Sequence, residues 1–235
     1  MGQPLIFSLI DKAIFEYKMI EDNDKILVAS SGGKDSTALV EYFSLRAKRR
    51  NCNFKYKAIH IESEITKPIS DGLLALFNSW NVDFENVKIE VLGRLKENKK
   101  MNCWWCSTQR RTDLINYALA NGYNKLALGH HLDDILETWI MNMLERSEMS
   151  TMPPFLAYEK YPLKIIRPLC YVTEDKIIEH AQTTGYISST CTCNYQSNST
   201  RKRAREKLDF LCDNDSEKKE RLFAALHNVL PEYLP

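Results

Sequence analysis

Residues 25–36 read Lys-Ile-Leu-Val-Ala-Ser-Ser-Gly-Gly-Lys-Asp-Ser. An apolar stretch ends in small and polar residues, and a helical pattern begins at Thr37. A turn that feeds a helix in this way presents backbone N–H groups to an anion. Gly32 and Gly33 remove the Cβ atoms that would hold a phosphate away from the backbone. Ser30, Ser31 and Ser36 add hydroxyl donors, and Lys34 adds a point charge. Asp35 adds a carboxylate able to hold Mg2+ against phosphates. The spacing is not Walker A, because no glycine lies five residues before Gly33-Lys34, and it is not the dinucleotide fingerprint. The competing reading is an ordinary glycine-rich strand–helix turn.

A second block runs Gly129-His130-His131-Leu132-Asp133-Asp134-Ile135-Leu136-Glu137-Thr138. It opens a helix, so its first N–H groups have no intrahelical acceptor. Asp134 follows His130 by four residues and Glu137 follows Asp133 by four, so each pair shares a face. A carboxylate here could hold Mg2+ beside a triphosphate. The alternative is that these acids only answer the helix dipole.

The cysteines form a third group. Four of the seven fall in two clusters, Cys103-Trp104-Trp105-Cys106 and Cys191-Thr192-Cys193. Residues 1–17 are amphipathic and carry acids, a poor signal peptide, so metal or sulfur chemistry comes before disulfides. A zinc site on Cys103, Cys106, Cys191 and Cys193 is chemically reasonable. A dithiol redox pair lacks the usual surroundings. Cys52, Cys170 and Cys212 stand alone, and Cys170 reads as buried filler. Residues 201–207 hold five cations and one anion. A helix there offers Arg201, Arg203 and Arg205 to phosphates, unless it is simply a solvated face.

Periodicity predicts the elements that carry these groups. Strands are expected at 25–29, 54–61, 87–92, 125–128 and 163–166. Helices are expected from Ile6 to Tyr17, after Thr37 to about Arg49, around Leu73 to Trp80, and over 107–120 and 132–146. Further helices follow from a Thr173 cap to Gly185, then over 200–211 and 216–229. Residues 93–102 read as a loop, and Met152-Pro153-Pro154-Phe155 as a break. The alternation predicts an α/β protein: a Rossmann-like parallel sheet of about five strands with helices on both faces. Binding then belongs at the carboxyl ends of the strands, where the segments at 30–36, 60–64, 103–106, 129–134 and Arg167 all fall.

Composition sets outer limits. With 44% apolar and 27% charged residues the chain is globular rather than disordered. Its apolar runs are too short to span a bilayer, so a cytoplasmic protein without membrane partners is expected. A net charge of +1 gives no global attraction to nucleic acid, so any such site is a local patch.

The glycine turn resembles the PP-loop of the ATP pyrophosphatases, the adenine nucleotide alpha-hydrolase-like group that splits ATP into AMP and pyrophosphate. The block at 129–138, together with Met152-Pro153-Pro154 and Ile166-Arg167-Pro168-Leu169, looks like the tRNA 2-thiocytidine synthetases. The related tRNA 2-thiouridine synthetases share their mechanism. The resemblance spans about residues 24–211. It implies an enzyme that adenylates the C2 oxygen of a pyrimidine in tRNA, best a cytidine of the anticodon loop, and replaces it with sulfur. It also implies ATP and Mg2+, and a 4Fe–4S cluster on a CxxC pair plus a distant cysteine, with one iron open to sulfide. Cys103 and Cys106 match the pair. The third ligand falls at Cys191 or at Cys193, where this chain has CxC in place of the family's CxxC; Cys191 is preferred.

By the same resemblance Ser30, Ser31, Gly32, Gly33, Lys34, Asp35, Ser36 and Gly129 surround the nucleotide, and the strand end at His60 lies against adenine. Lys34, Asp35 and Asp134 are the catalytic candidates. Arg167, Arg201, Arg203 and Arg205 are the candidates for RNA phosphates. The implied partners are tRNA and a sulfur donor, either sulfide or a cysteine desulfurase. Little chain lies beyond the core, so a homodimer is an expectation, one tRNA being large for one subunit. The expected organisation is an N-terminal helix over 1–22, an ATP-binding domain over 23–190, and a helical segment over 191–235. That last segment completes the cysteine site and offers a tRNA surface. Two rivals remain: another PP-loop enzyme of lysidine, amide-forming or desulfurising type, and a zinc-stabilised nucleotide- or RNA-binding module.

Overall fold

The computed structural model describes residues 3–50, 52–66, 68–95, 101, 103–158, 161–186 and 200–233. Cys191 and Cys193 lie outside them. The strands are β1 (Lys25–Ala29), β2 (Lys55–Glu62), β3 (Phe84–Lys88), β4 (Lys125–Ala127), β5 (Phe155–Ala157) and β6 (Lys164–Ile166). The helices are α1 (Leu5–Glu16), α2 (Lys34–Arg46), α3 (Asp71–Ser79), α4 (Cys103–Ala120), α5 (Leu132–Arg146), α6 (Glu174–Thr184), α7 (Thr200–Leu211) and α8 (Ser216–Ala225).

The six strands form one sheet in the order β3-β2-β1-β4-β6-β5. All pairs are parallel except β5 with β6, where Phe155 lies opposite Ile166 and Ala157 opposite Lys164. The α/β architecture is as expected, with one more strand. β5 is short and follows two prolines, which suit an edge and hide the strand's period. β3 starts at Phe84 rather than at Val87, because its register with β2 pairs Ala58 with Phe84 and Glu62 with Lys88.

The central strands are apolar on both sides, as a parallel sheet between helices requires. In β1, Ile26 and Val28 enter a large core with α1, α2, α3, α5, α6, α7 and α8, while Leu27 enters a second core with α4. α4 is the one helix that supplies buried side chains to that second face among the described residues. At the amino ends of the strands the fully buried Lys125 ammonium lies 2.6 Å from Asp24, a pair that fixes β4 beside β1.

α6 has its N-cap at Thr173 and ends at Gly185 in the left-handed conformation, as its sequence predicts. The capping bond differs from expectation. The Thr173 hydroxyl makes no cap bond; Asp133 of α5 accepts from the Glu174 amide at 2.8 Å. No helix among the described residues is long and apolar enough to cross a membrane.

α1 is tied to α2 through Asp11. Its carboxylate accepts from Arg46 at 2.8 Å and Arg49 at 2.9 Å, and from the Tyr42 hydroxyl. Burial raises its pKa, but the bonds from Arg49, Tyr42 and Gln3 outweigh that and hold it below the ordinary carboxylate value. A lowered folded pKa stabilises the protein above the unfolded value and loses that contribution as pH falls through the folded one. Asp11→Asn is therefore expected to cost about 1–2 kcal/mol near neutrality. In urea denaturation the difference between variant and parent should begin to shrink only as pH falls below about 4, and close once pH passes below the lowered folded value.

Candidate active site

β1 and β4 are neighbours whose chains leave in opposite directions, β1 toward β2 and β4 toward β6, which makes their carboxyl ends the switch point of the sheet. A cleft of about 280 Å3 opens there. Its first wall is the turn after β1, with Ser30, Ser31, Asp35 and Ser36. Its second is the start of α5, with Gly129, His130 and Asp134. Its third is α4, with Ser107, Arg110, Arg111 and Leu114. Ile59, Ile61 and Leu128 supply an apolar side.

The turn is closed by its own side chains. The Ser36 hydroxyl donates to the Gly33 carbonyl at 3.0 Å and accepts from the Ser31 amide at 3.0 Å. Gly32 has φ +81°, which side chains with a Cβ rarely adopt. The first ladder bond of α2 runs from the Thr37 amide to the Gly33 carbonyl at 3.0 Å. The amides of Lys34, Asp35 and Ser36 therefore precede the ladder, at the positive end of the helix dipole. Across the cleft Gly129 packs against this turn. A Cβ on it would lie 3.2 Å from both the Cα and the N of Ser36, closer than a side chain tolerates without moving the backbone.

The acids of α5 divide by face. Asp134 lines the cleft, accepts from the His131 amide at 3.1 Å and lies 3.1 Å from Arg201. Burial disfavours its charge, but His131 and Arg201 outweigh this and hold its pKa low. Asp133 turns the other way, to the Glu174 amide and to Lys219 at 3.0 Å. Glu137 is fully buried and accepts from Arg205 at 2.6 Å and Arg201 at 2.9 Å. Burial raises its pKa against the pull of those two arginines. His131 sits between the two aspartates, 3.5 Å from each. Burial opposes its charge, yet Asp134 and Asp133 push its pKa up to about 9. His130 is shifted downward by burial, with Asp134 opposing and Arg167, Arg201 and Arg111 reinforcing.

The sequence-predicted residues converge in part. Ser30, Ser31, Asp35, Ser36, Gly129 and Asp134 meet in the cleft. Lys34 does not join them. Its ammonium is 2.7 Å from Glu174 and 3.1 Å from Asp35, on the side of α6. Burial disfavours that charge, and the two carboxylates more than compensate, so its pKa is raised. His60 is buried and serves the turn itself, its Nδ1–H donating to the Ser30 carbonyl at 2.8 Å; its neighbours Ile59 and Ile61 face the cleft instead. Arg167 is buried and donates to the Pro153 carbonyl at 2.6 Å, while its amide donates to Pro154 at 2.8 Å. It thus locks the Met152-Pro153-Pro154 segment onto β6. Arg201 and Arg205 are half-exposed, with their Nε atoms committed to Glu137, and Arg203 is exposed.

Cys103 and Cys106 occupy the first turn of α4, which begins at Cys103 rather than at Ser107. They stand four positions ahead of Ser107 and Arg110, which line the cleft, and four residues of helix rise only about 6 Å. Two cysteines at i and i+3 in a first helical turn suit soft metal ligation, because the helix N-terminus favours thiolate. Their positions along the helix suit a cluster or a zinc ion about one turn from the cleft wall; both candidates for a further ligand lie outside the described residues. Asp35 and Asp134, both lining the cleft, fit an oxygen-bound Mg2+. Cys170 is buried, and burial pushes its thiol up to about 12, which suits a packing role.

Ser107, Arg110 and Arg111 were absent from the sequence prediction. Their signal was available: with Leu114 they fall at i, i+3, i+4 and i+7, one face of a helix. The helix expected over 107–120 already contains that face, but a helical stripe of one serine, two arginines and a leucine matches no chemical motif and so singles out no site.

A parallel sheet with an anion-binding turn at its switch point defines a nucleotide-binding α/β protein. A family model described as a PP-loop domain matches residues 8–209. The tRNA-cytidine(32) 2-sulfurtransferase of Cupriavidus metallidurans is 35% identical over 231 residues, covering 97% of this chain and 74% of that protein. The tRNA-cytidine(32) 2-sulfurtransferase 1 of Francisella tularensis subsp. novicida is 33% identical over 227 residues, covering 95% and 85%. Among solved structures, the U34-tRNA thiolase NcsA from Methanococcus maripaludis, with its 4Fe–4S cluster, superposes with a TM-score of 0.78. It is 22% identical and covers 98% of this chain and 80% of that one, and so supports the fold. The chain belongs to the PP-loop family and, within it, to the family of the tRNA-cytidine(32) 2-sulfurtransferases.

The contact between Gly129 and Ser36 yields a test. Gly129→Ala must push the turn aside, at a cost of about 1–3 kcal/mol in stability. It is expected also to weaken ATP binding, because the amides of the turn move with Ser36. Urea denaturation and calorimetric titration with ATP measure the two effects separately.

Proposed function

We propose that this chain is an ATP-dependent tRNA sulfurtransferase that replaces the C2 oxygen of a cytidine, at position 32 by analogy with its relatives, with sulfur. The observation that carries the reading is the convergence on one cleft of the serine–glycine turn, the first turn of α5 and the helix that starts with Cys103 and Cys106.

The chemical obstacle is that an amide-like C2 oxygen is a poor leaving group. Adenylation removes it: the oxygen attacks the α-phosphorus of ATP, and pyrophosphate departs. The bond from C2 to that oxygen then breaks when sulfur adds, and the oxygen leaves with AMP. The amides of Lys34, Asp35 and Ser36, with the hydroxyls of Ser30 and Ser31, suit the departing pyrophosphate, where fixed donors act most strongly. Asp35 and Asp134 would hold Mg2+, neutralising charge as it develops. Ile59 and Ile61 give the adenine an apolar wall. Cys103, Cys106 and Cys191 (or Cys193) would hold the cluster. When bound, a 4Fe–4S cluster with three protein ligands supplies a coordination position for the sulfur to be transferred.

The rest of the chain fits around these roles. Residues 23–190 would form the ATP-binding unit, and residues 191–235 would bring the third cysteine and a tRNA surface that includes Arg203. Cleft residues need only hold base, α-phosphate and sulfur in register, since positioning alone removes much of the barrier.

The test is mass spectrometry of tRNA nucleosides from cells with and without the protein. 2-Thiocytidine is expected only in its presence, and an unchanged nucleoside profile removes the proposal. Cys103→Ser and Cys106→Ser are each expected to abolish thiolation and the broad visible absorption of the anaerobically purified protein. A colourless parent protein with stoichiometric zinc would instead point to the binding-module reading.

A further inference from the structure

We propose that Arg110 and Arg111 of α4 are the side-chain cations that hold the phosphates of the bound nucleotide, the task that the sequence alone suggested for Lys34. The inference rests on reading the cleft as the ATP site and adds the residues that recognise the polyphosphate.

The argument is one of charge accounting inside the cleft. Each acid that lines it already has a cation: Asp35 has Lys34 at 3.1 Å, and Asp134 has Arg201 at 3.1 Å. The remaining cations near the turn are also committed, Arg205 to Glu137 and Lys219 to Asp133. Arg110 and Arg111 line the same cleft, and neither side chain forms an ion pair or hydrogen bond among the described residues. Burial lowers the pKa of Arg167, and Arg111 lies near enough to lower it further, as like charges do. The cleft therefore carries two guanidinium groups that no carboxylate answers among the described residues, and an anion would supply the missing charge.

The shape of the wall says which anion. Ser107, Arg110, Arg111 and Leu114 fall at i, i+3, i+4 and i+7 of α4 and line the cleft together. Cationic and apolar groups thus share one face, opposite Ile59, Ile61 and Leu128. A ligand that is apolar at one end and polyanionic at the other matches this wall. A nucleoside triphosphate is such a ligand, and an RNA backbone is not. Guanidinium groups also fit phosphate oxygens in pairs, which an ammonium does not.

The experiment is calorimetric titration of the intact, anaerobically purified protein with ATP and, separately, with adenosine, both in Mg2+. The parent is compared with Arg110→Gln, Arg111→Gln and the double variant. Because neither side chain has an ion-pair or hydrogen-bond partner among the described residues, melting curves of all four are expected to coincide. The double variant should bind ATP at least about tenfold more weakly and adenosine within about twofold of the parent. Parental ATP affinity in the double variant overturns the inference. If tRNA affinity then falls and its salt dependence becomes shallower, the arginines are RNA backbone contacts instead. A parent protein that binds no ATP overturns this inference and the functional reading together, which separates the two failures.

Discussion

Two helix N-termini open onto one small space, and the rest of the site follows from that. α2 begins at the end of β1 and α5 just after β4, and their first turns line the same cleft. Each contributes amides without intrahelical acceptors and the positive end of a dipole. Such a space is unfavourable when empty of negative charge. The chain answers with Asp35 and Asp134, one from each first turn, and those acids then need cations of their own. Gly129 sets how closely the two turns approach, since any larger residue would meet the Ser36 backbone.

The cations come from the far side of the cleft wall and form a chain. Lys34 meets Glu174, Glu174 lies 3.7 Å from Arg205, Arg205 bonds Glu137, and Glu137 bonds Arg201, which returns to Asp134. Glu137 is the critical link, because a buried carboxylate is tolerable only when it is paired. Its two arginines dock α7 onto α5. Asp133 does the same for α6 and α8, through the Glu174 amide and Lys219. A single helical turn of α5 thus serves the cleft on one face and holds three later helices on the other. That is why the five acids and histidines in these ten residues need not all be catalytic.

The cysteine pair gains its meaning from the length of α4. A helix that begins at Cys103 carries the pair, the two arginines and Leu114 in one rigid piece, and its other side fills the second core through Ile115 and Ala118. A rigid element fixes the distance between a metal site and a nucleotide better than a loop does. The polar and basic residues at 93–102 read as a loop, and the cysteine pair that closes it was set apart from the helix expected to start at Ser107.

Much of the fold was legible because parallel strands and their crossover helices write strong periods: β1, β4, α5 and α7 fall where the pattern puts them. The turn at 30–36 and the block at 129–138 were legible because glycine and acids at a helix start have few other uses. β5 was missed because three residues beside prolines carry no period. Thr173 does occupy the N-cap of α6, but the acceptor of the capping bond escaped the sequence because it comes from a distant helix. By itself, then, the linear chain determined where most helices and strands form and which turn leaves its backbone amides free at a helix start, since these depend on neighbours a few residues apart. Only the tertiary structure decided where each charge points. Lys34 turns to Glu174, Arg167 to a proline carbonyl and Arg201 to Asp134, while Arg110 and Arg111 are left facing the cleft. Those choices depend on partners 14 to 140 residues away, which no local pattern encodes.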